Sequence, residues 1–461
     1  MVESTTIHFV SDWAMDRRHF TIGAFSTIAF PALAQVRPAQ LRGALDVTQF
    51  GVRPDASDDQ SVLLQKVLEA ASREDKAVMV PPGRYLVSNL ALPARTRLVG
   101  VAGTARFVYG GGGSFLTGDN AEVVHLEGLT LDGANRALTD EYSGLVHLRQ
   151  VKRVTLEDCD FFGSTRMGVS LESCGGQVRR NRISGAAGAA GLFSVEALGL
   201  TIADNTVQDC ANGGILVHRW RGGEDNTQVR GNRVAHIAAK GGGTGQRGNG
   251  INIFRAHGVQ VSGNHVSDCA FSAIRSNAGS NISITGNTCL RSGETAIYSE
   301  FGFEGALIAH NIVDGGAIGI SIANFNEGGR LAVCSNNIVR NLKNAAPYPP
   351  DVAEFGIGIY AEADTLLSDN IVENAENWGL ALGWGPFMRR VHASGNLVQD
   401  SRVGLAVTVA DGAGSASIEN NRFVNTPDGA IVGHRWREAV TGDLVAANTH
   451  DHLTIRNNYT R

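Results

Sequence analysis

Short apolar stretches alternate with glycine, asparagine and aspartate along most of the chain, and one asparagine recurs among them at a nearly fixed interval. Most of these intervals are 23 to 27 residues long, and the positions three before and two after each asparagine are almost all apolar. The recurring residues are Asn181, Asn205, Asn232, Asn264, Asn287, Asn311, Asn337, Asn370, Asn396, Asn421 and Asn458. A period of this length predicts a solenoid, in which each repeat buries its apolar face only against its neighbours.

The repeats contain short alternating runs of β-branched residues, which predict strands rather than helices. We therefore expect an all-β protein, a single-stranded parallel β-helix of about a dozen coils over residues 96–461. The asparagine amides should stack and hydrogen-bond from one coil to the next. Longer intervals place extra residues at 240–250, 343–355 and 433–451, and such insertions form loops that often border a binding face.

Residues 35–95 have the pattern of a cap for the open end of a solenoid. Ser57 and Gln60 have the spacing of a capping box, and an apolar stripe at helical spacing follows them. The stripe consists of Leu63, Leu64, Val67, Leu68 and Ala71. These residues predict a helix at about 58–73, followed by two strands joined by Pro81-Pro82-Gly83.

The first 34 residues have the pattern of a cleaved export signal. Arg17 and Arg18 precede a moderately apolar run, and residues 32–34 (Ala-Leu-Ala) supply a small-residue cleavage site. Paired arginines in this place are typical of a signal read by the twin-arginine export machinery. We expect residues 1–34 to be removed, with Met15 as an alternative start, and the mature protein to be periplasmic or secreted.

The N-terminal region resembles the signature of the pectate-lyase-like superfamily of right-handed β-helices, in which a DFG-x-D-x-DD helix precedes P-P-G-x-Y. The matching residues are Phe50, Gly51, Asp55, Asp58, Asp59, Pro81, Pro82, Gly83 and Tyr85, and the run LEGLTLDG at 126–133 resembles the first full coil. With the paired arginines and the asparagine repeat, nearly the full length resembles a family of twin-arginine-exported repeat proteins. This resemblance implies a right-handed parallel β-helix but no particular activity.

Composition narrows the range of partners. The net charge is -5 and no long basic run occurs, which argues against nucleic acid as the main partner. No run of 18 apolar residues occurs beyond the N-terminus, so we predict no transmembrane segment in the mature protein. The six cysteines are expected to be small apolar core residues, although Cys159 with Cys174, or Cys269 with Cys289, could bridge neighbouring turns.

One strand of each coil is expected to present polar and aromatic side chains to solvent. In most coils a glycine precedes an Ile or Leu in this strand. If that Ile or Leu faces inward, the residues one and three positions after it face outward. The predicted outward pairs are Ser170 and Glu172, Ser194 and Glu196, Leu216 and His218, Asn252 and Phe254, Arg275 and Asn277, Tyr298 and Glu300, Ser321 and Ala323, Tyr360 and Glu362, and Ala381 and Gly383. A sheet face walled by loops at 240–250 and 343–355 would suit an extended polysaccharide.

A lyase or epimerase acting on a uronate-containing glycan is the first functional hypothesis for this face. Such an enzyme needs a base near a carbon that bears a carboxylate, and a group that neutralises that carboxylate. Arg275 with Asn252 is the candidate for neutralisation, and Tyr298, Tyr360 or His218 for base or acid.

Two alternatives remain open. A glycoside hydrolase would need two carboxylates, for which Glu300 with Glu362 or Glu196 are candidates. A non-catalytic glycan-binding or envelope protein would also have a polar outer face. No tight acidic triplet is present, so no metal or cofactor is predicted, with calcium as the one alternative.

The predicted site residues fall into two sets. The catalytic candidates are Arg275, Tyr298, Glu300 and His218, and the substrate-binding candidates are Asn252, Arg255, Arg219, Tyr360, Glu362 and Trp220. Near-copies of one motif, His-Arg-Trp-Arg, occur at 218–221 and 434–437, and Trp220 and Trp436 within them could stack on sugar rings.

Overall fold

The computed structural model describes residues 43–461, apart from residues 142, 244, 325 and 349–354. The export signal predicted for residues 1–34 and the alternative start at Met15 therefore lie outside the described residues. From Leu45 onward the chain winds through three long sheets, in which strands pair in parallel with the strand in the same place one coil later. The exception is Glu438–Asp443, which forms an antiparallel hairpin with Ile431–Arg435. The prediction of an all-β parallel β-helix is confirmed.

Each coil visits the three sheets in a fixed order, with the recurring asparagine between the first sheet and the second. The first sheet has 16 strands, and the second and third have 15 each. The first sheet contains Leu45–Asp46, Val78–Met79, Arg95–Val99, Val123–Glu127, Arg153–Glu157, Gly176–Arg179, Thr201–Ala203, Gln228–Arg230, Gln260–Ser262, Ile282–Thr285, Glu304–Ala309, Arg330–Ser335, Thr365–Ser368, Val391–Ser394, Ala416–Glu419 and Leu453–Arg456. The second contains Gly83–Val87, Ala105–Tyr109, Leu129–Asp132, Asp160–Phe162, Arg182–Ser184, Thr206–Gln208, Arg233–Ile237, His265–Cys269, Thr288–Leu290, Ile312–Gly316, Ile338–Leu342, Ile371–Ala375, Leu397–Gln399, Arg422–Val424 and Tyr459–Thr460. The third contains Leu90–Ala91, Leu116–Asp119, Gly144–Arg149, Met167–Glu172, Leu192–Val195, Gly213–Glu224, Asn249–His257, Ile274–Asn277, Thr295–Glu300, Ile318–Ala323, Ile357–Ala361, Trp378–Leu382, Val403–Thr408, Ile431–Arg435 and Glu438–Asp443.

The asparagine ladder forms as the repeat predicts. The backbone N–H and the side-chain Nδ2 of Asn181 both donate to Oδ1 of Asn205 at 3.0 Å, and Nδ2 also donates to the Leu156 carbonyl at 2.9 Å. The same three bonds recur as far as Asn421, which donates to Asn458. Because each buried amide finds its partners in neighbouring coils, the ladder holds the turn between the first two sheets in register.

Residues 43–95 contribute to the coils as well as covering their end. Leu45–Asp46, Val78–Met79, Gly83–Val87 and Leu90–Ala91 already pair into the three sheets. Coils therefore begin before residue 96, and there are more of them than the dozen predicted. Two short 3-10 helices, Val47–Phe50 and Gly385–Phe387, complete the helical elements of the described residues together with one α-helix.

The α-helix is Ser61–Glu74, three residues later at its start than predicted. The predicted capping box of Ser57 with Gln60 does not form, because Gln60 accepts the backbone N–H of Arg53 at 3.0 Å. Gln60 is the N-cap residue without a side-chain cap bond, and Oδ1 of the preceding Asp59 accepts the first helical N–H at 2.7 Å. The apolar stripe packs into the core through Leu64, Val67, Leu68 and Ala71.

All six cysteines are free and buried, so the bridges considered for Cys159 with Cys174 and for Cys269 with Cys289 do not form. Burial raises the pKa of the Cys159 thiol to about 12, which keeps it protonated and unreactive. The interpretation of the cysteines as small core residues is confirmed. Within the part of the chain that the structure describes, no helix is long and apolar enough to cross a membrane.

Candidate functional site

The third sheet presents two columns of outward side chains along the coils. The first column contains Ser170, Phe193, Leu216, Asn252, Arg275, Tyr298, Ser321, Tyr360, Ala381, Ala406 and Val432. The register pairs the second from Glu172 through Val195, His218, Phe254, Asn277 and Glu300 to Ala323, and it pairs Thr408 with His434. Glu362 and Gly383 continue this column directly after the paired residues Ala361 and Leu382. Residues that follow one another in a column lie one strand spacing apart, roughly 4.8 Å.

One predicted pair in these columns, Ser194 and Glu196, is wrong. Phe193 pairs with Ser170 and with Leu216, so it occupies the outward column, and Ser194 is buried on the inner side. A one-residue slip in a strand moves every side chain to the opposite face. Glu196 lies beyond the strand and accepts the backbone N–H of Trp220 at 2.9 Å.

The centre of the face holds a buried ion pair. Glu300 is 1% exposed, and its two carboxylate oxygens accept from Nε and Nη2 of Arg275 at 2.6 and 3.0 Å. Asn277 donates to the same carboxylate at 2.9 Å, and Nη1 of Arg275 donates to the Gly245 carbonyl at 2.5 Å. The guanidinium carbon of Arg275 lies 5.1 Å from the centre of the Tyr298 ring. Arg275 thus has its charge neutralised within the protein.

A second carboxylate beside this ion pair was not predicted from the sequence. Glu294 lies one residue before the strand Thr295–Glu300 and is almost fully buried. The Tyr348 hydroxyl donates to its Oε1, whereas its Oε2 has no hydrogen-bond partner among the described residues. Burial raises the pKa of Glu294 above its ordinary value. Arg275, Asn277, Glu294, Tyr298, Glu300 and Tyr348 are called the ion-pair cluster below.

Loop aromatics enclose this cluster on one side. Tyr348 stacks on Phe271 with ring centres 6.2 Å apart and meets the edge of Phe355 at 5.8 Å. Burial, and then the charge of Glu300, raises the pKa of the Tyr298 hydroxyl well above its usual range. Tyr298 is therefore protonated at neutral pH and suits hydrogen-bond donation better than proton abstraction.

Tyr360 and Glu362 occupy a third place, two coils beyond the ion pair. Oε2 of Glu362 accepts the backbone N–H of Asn324 at 2.7 Å, and the side chain is 2% exposed. Burial, and then Glu362, raises the pKa of Tyr360 well above its usual range. Two strand spacings separate Glu362 from Glu300, roughly 9 to 10 Å, so these carboxylates do not converge as tightly as Glu294 and Glu300 do around Arg275.

On the N-terminal side of the ion-pair cluster, the same face opens into a cavity of about 470 Å³. It is called the aromatic cavity and is lined by Met167, Ala189, Phe193, Leu216, His218, Trp220, Gly243, Gln246 and Arg247. The His218 ring lies between Phe193 and Phe254, with ring centres 5.4 and 5.6 Å away. The loop at 240–250, predicted as a wall, supplies three of the lining residues.

His218 is the titratable group of the aromatic cavity. Burial lowers its pKa to about 4, so the imidazole is neutral at neutral pH. Its Nε2 has no hydrogen-bond partner among the described residues, and neither has Oδ1 of Asn252 in the next coil. A neutral ring nitrogen without a partner is able to accept a proton or a hydrogen bond from a ligand.

The arginines near this cavity differ in whether they form an ion pair with a carboxylate of the protein. Arg219 is paired with Glu196 at 2.6 Å and donates to the Glu224 carbonyl at 2.8 Å. Arg255 lies over the Phe254 ring at 4.8 Å and donates to the Trp220 carbonyl at 3.1 Å. Arg221 and Arg247 are exposed, and neither forms an ion pair with another described residue. The cavity therefore has a positive rim.

The structure thus separates the ten predicted site residues into groups. Arg275, Tyr298 and Glu300 are together in the ion-pair cluster. His218 and Trp220 line the aromatic cavity, whereas Arg219 and Arg255 lie beside it, and Asn252 lies between these two regions. Tyr360 and Glu362 stand apart. No group of three or more histidine, cysteine, aspartate or glutamate side chains able to hold a metal occurs in the described ranges.

Two family models match the chain. The model described as "Right handed beta helix region" matches residues 133–234 and 222–398, which together span more than half of the chain. The model described as "Rhamnogalacturonase A/epimerase, pectate lyase-like" matches residues 44–137. A search of curated proteins finds no match.

Solved structures share the fold at low identity. The pre-mature gene product 12 of bacteriophage phi29 is 15% identical with a TM-score of 0.53, over 89% of this chain and 58% of that chain. The Dettilon tailspike protein is 16% identical with a TM-score of 0.47, over 86% and 69%. The A-module of the Azotobacter vinelandii mannuronan C-5 epimerase AlgE6 is 13% identical with a TM-score of 0.40, over 90% and 99%. The gene product 12 chain is thus longer than this one, and its likeness to this chain concerns the fold alone.

Proposed function

This chain belongs to the right-handed β-helix family, and we propose that it processes an acidic polysaccharide that lies along the third sheet. The observation that carries this proposal is the aromatic cavity, where sugar-sized space, an exposed indole ring, a neutral imidazole and an arginine meet on one face. The match of residues 44–137 to a family named for rhamnogalacturonase A and epimerase supports it. The clustering of groups with shifted pKa values on this face favours an enzyme over a binding protein.

Each part of the cavity suits one part of a uronate residue. Trp220, which is half exposed, offers a ring face for the apolar side of a sugar, and the buried Phe193 ring packs against it. Arg247 can pair with the uronate carboxylate, since no described residue neutralises it. His218 can take a proton, because burial holds it in the neutral form above about pH 4. The role predicted for Arg275 is thereby proposed for Arg247, whose guanidinium donates to the Gly241 carbonyl but does not have to leave a carboxylate partner.

We propose β-elimination as the reaction. Nε2 of His218 removes the proton on C5, the carbon that bears the carboxylate, and Arg247 stabilises the negative charge that develops there. The electron pair of the C5–H bond forms the C4–C5 double bond, the C4–O bond breaks, and the departing oxygen takes up the proton from the imidazolium or from water. Return of a proton from water to the opposite face of C5, without C4–O cleavage, would give epimerisation instead.

The test uses the full chain with polygalacturonate and alginate, and a neutral glucan as the control substrate. We expect ultraviolet absorbance from unsaturated ends, or deuterium incorporation at C5 in heavy water, with the acidic polymers only. His218→Gln and Arg247→Gln should lower the rate at least about 100-fold, as loss of a general base or a charge-stabilising group does. His265→Gln and Arg233→Gln, which change exposed residues of the second sheet, should leave it unchanged. Activity that survives both site variants would overturn the assignment.

Hydrolysis is the second candidate, favoured by the environment of Glu294. Burial raises the pKa of Glu294, and Glu300 beside it is a carboxylate held in an ion pair. Glycosidases use such a pair, with the carboxyl group of raised pKa as the general acid and the other carboxylate as base or nucleophile. New reducing ends without ultraviolet absorbance, abolished by Glu294→Gln, would establish this reaction. Saturable binding of the polymers without absorbance, deuterium incorporation or reducing ends would favour a binding protein instead.

The location of the activity is also a proposal. Residues 1–34 carry the predicted twin-arginine signal, so the protein should act in the periplasm or outside the cell. Replacing Arg17 and Arg18 with lysine should retain the protein in the cytoplasmic fraction of expressing cells. Unchanged fractionation of that variant would contradict the signal.

A further inference from the structure

The aromatic cavity has a counterpart near the other end of the third sheet. The motif His218-Arg219-Trp220-Arg221 recurs as His434-Arg435-Trp436-Arg437, and the register places both histidines in the same outward column. Eight strand steps separate them in the sheet. Eight steps correspond to about 38 Å along the axis of the coils. The sequence repeat is therefore also a repeat of position on one face.

The surroundings of the second motif repeat those of the first. The His434 ring meets Trp378 with centres 4.7 Å apart, and burial lowers its pKa. Neither ring nitrogen of His434 has a hydrogen-bond partner among the described residues. Trp384 and Phe387 meet Trp436 at 5.6 and 6.3 Å. Trp378, Trp384, Phe387, His434 and Trp436 are called the distal aromatic cluster.

Both motifs hold an indole ring at the surface. Trp220 is 51% exposed and Trp436 is 47% exposed, although large aromatic side chains are usually covered. Trp436 has a φ of 58° at the turn between Ile431–Arg435 and Glu438–Asp443. A positive φ at the first central residue is a feature of the tight turns that join hairpin strands.

Positive charge accompanies each exposed indole. Arg221 and Arg247 lie beside the first without a described ion pair. Arg435 lies beside the second and faces Asp411 at 3.7 Å, with both side chains largely exposed. Exposed pairs of this kind contribute little and give way readily to another carboxylate. An acidic ligand with ring faces complements both places.

We propose that Trp220 and Trp436 are two anchors for one extended acidic glycan, so that the protein selects chains long enough to reach both. This inference rests on the proposed function, because it takes the ligand to be an acidic polysaccharide. A chain held at both anchors gains from effective concentration at the second site, whereas a short oligosaccharide occupies one anchor at a time. The ion-pair cluster lies between the anchors.

The test measures binding of labelled oligogalacturonates and oligoalginates of graded length, before any product accumulates. Affinity should rise sharply, about tenfold or more, once the oligomer spans about 38 Å. Trp436→Ala should abolish that rise while leaving the binding of short oligomers at Trp220 unchanged. Trp436→Phe, which keeps a ring, should retain most of it. Tyr459→Ala, which removes an exposed aromatic ring from the second sheet, is the matched control.

The outcomes separate the two proposals. A protein that binds no acidic oligomer of any length overturns the proposed function and this inference together. Binding that weakens in Trp220→Ala, but is the same in Trp436→Ala as in the control, overturns the second anchor and leaves the proposed function standing. Affinity that does not depend on the length of the oligomer also overturns the second anchor. Unchanged circular dichroism and melting temperature exclude misfolding as the cause of a loss.

Discussion

The aromatic cavity and the ion-pair cluster are neighbours on one sheet face, yet the charged groups of the cluster pair with each other, whereas the ionisable groups of the cavity pair with no described carboxylate. In the cluster, Nε of Arg275 lies 2.6 Å from Oε1 of Glu300 in an ion pair, and Asn277 donates a further hydrogen bond to this carboxylate. In the cavity, Nε2 of His218 has no partner among the described residues, and Arg247 pairs with no described carboxylate. Both regions are built from the same two outward columns, so the difference arises from the neighbours that each side chain contacts on this face.

A ligand carboxylate should therefore bind more readily at Arg247 than at Arg275. A substrate carboxylate at Arg275 would have to displace a buried carboxylate that is held by three hydrogen bonds. A substrate carboxylate at Arg247 meets an exposed guanidinium. A polar residue on a β-helix face is thus a better functional candidate when its partner is missing than when its partner is present.

The largest expected effect comes from breaking the ion pair. Glu300→Ala should lower the free energy of unfolding by about 3–5 kcal/mol, because it leaves the guanidinium of Arg275 buried without a counter-charge. The double variant Arg275→Met with Glu300→Leu should recover most of that loss, since it removes both charges. Guanidinium unfolding of the wild type, both single variants and the double variant measures this.

The matched control for that comparison is the exposed pair of Glu304 with Arg330. Both side chains are about half exposed, and their atoms are 2.5 Å apart. Glu304→Ala should therefore change the free energy of unfolding by less than about 1 kcal/mol. Similar losses at Glu300 and Glu304 would show that the ion-pair cluster is not insulated from solvent.

A smaller effect is expected from the pH dependence that His218 imposes. Its pKa is about 4 in the folded state against an ordinary 6.5, so the unfolded state binds more protons between these values. Stability should therefore rise with pH across that window, by about 3 kcal/mol in total. His218→Gln should remove this contribution. The difference in free energy of unfolding between wild type and variant, measured from pH 4 to 7, reports it.

His265→Gln serves as the control, because His265 is exposed on the second sheet. The difference between wild type and this control should change much less across the same pH range. A flat difference for His218→Gln would show that the aromatic cavity is wet enough to solvate the imidazolium, and it would weaken the case for a preformed site.

The coil architecture was predictable because it depends on local periodicity. The spacing of Asn181, Asn205 and their successors fixes the ladder, and the alternation of inward residues fixes which side chains face outward. The exception is the strand Leu192–Val195, where serine and glutamate suggested an outward pair and the register shows Phe193 and Val195 outward. The polar residues of this strand suggested that Ser194 and Glu196 face outward. The observed register is shifted by one residue, because Leu192 pairs with the inward Val169 and Ile215.

The partners of the site residues were not predictable from the sequence in the same way. Glu294 lies outside the strand, so the alternation rule does not apply to it, and its partner Tyr348 is 54 residues away in a loop. Loop positions relative to a sheet follow from three-dimensional packing and not from period. The sequence therefore placed Arg275 and Glu300 on the same outward face but could not show that they neutralise each other, nor that His218 lies in an apolar cavity.

The smallest expected effect distinguishes the two carboxylates of the ion-pair cluster. Burial raises the folded-state pKa of Glu294 above its ordinary 4.5, so its contribution to stability is lost as pH rises through the folded pKa. Glu294→Gln should therefore gain stability relative to wild type between about pH 4.5 and 7, while Tyr348 keeps an oxygen to donate to. Any constant effect of the amide cancels in the pH dependence, and Glu304→Gln controls for the loss of a surface charge. A difference that falls with pH would show that Glu294 is stabilised as a carboxylate by Arg275, as Glu300 is, and would remove the acid that the hydrolytic alternative needs.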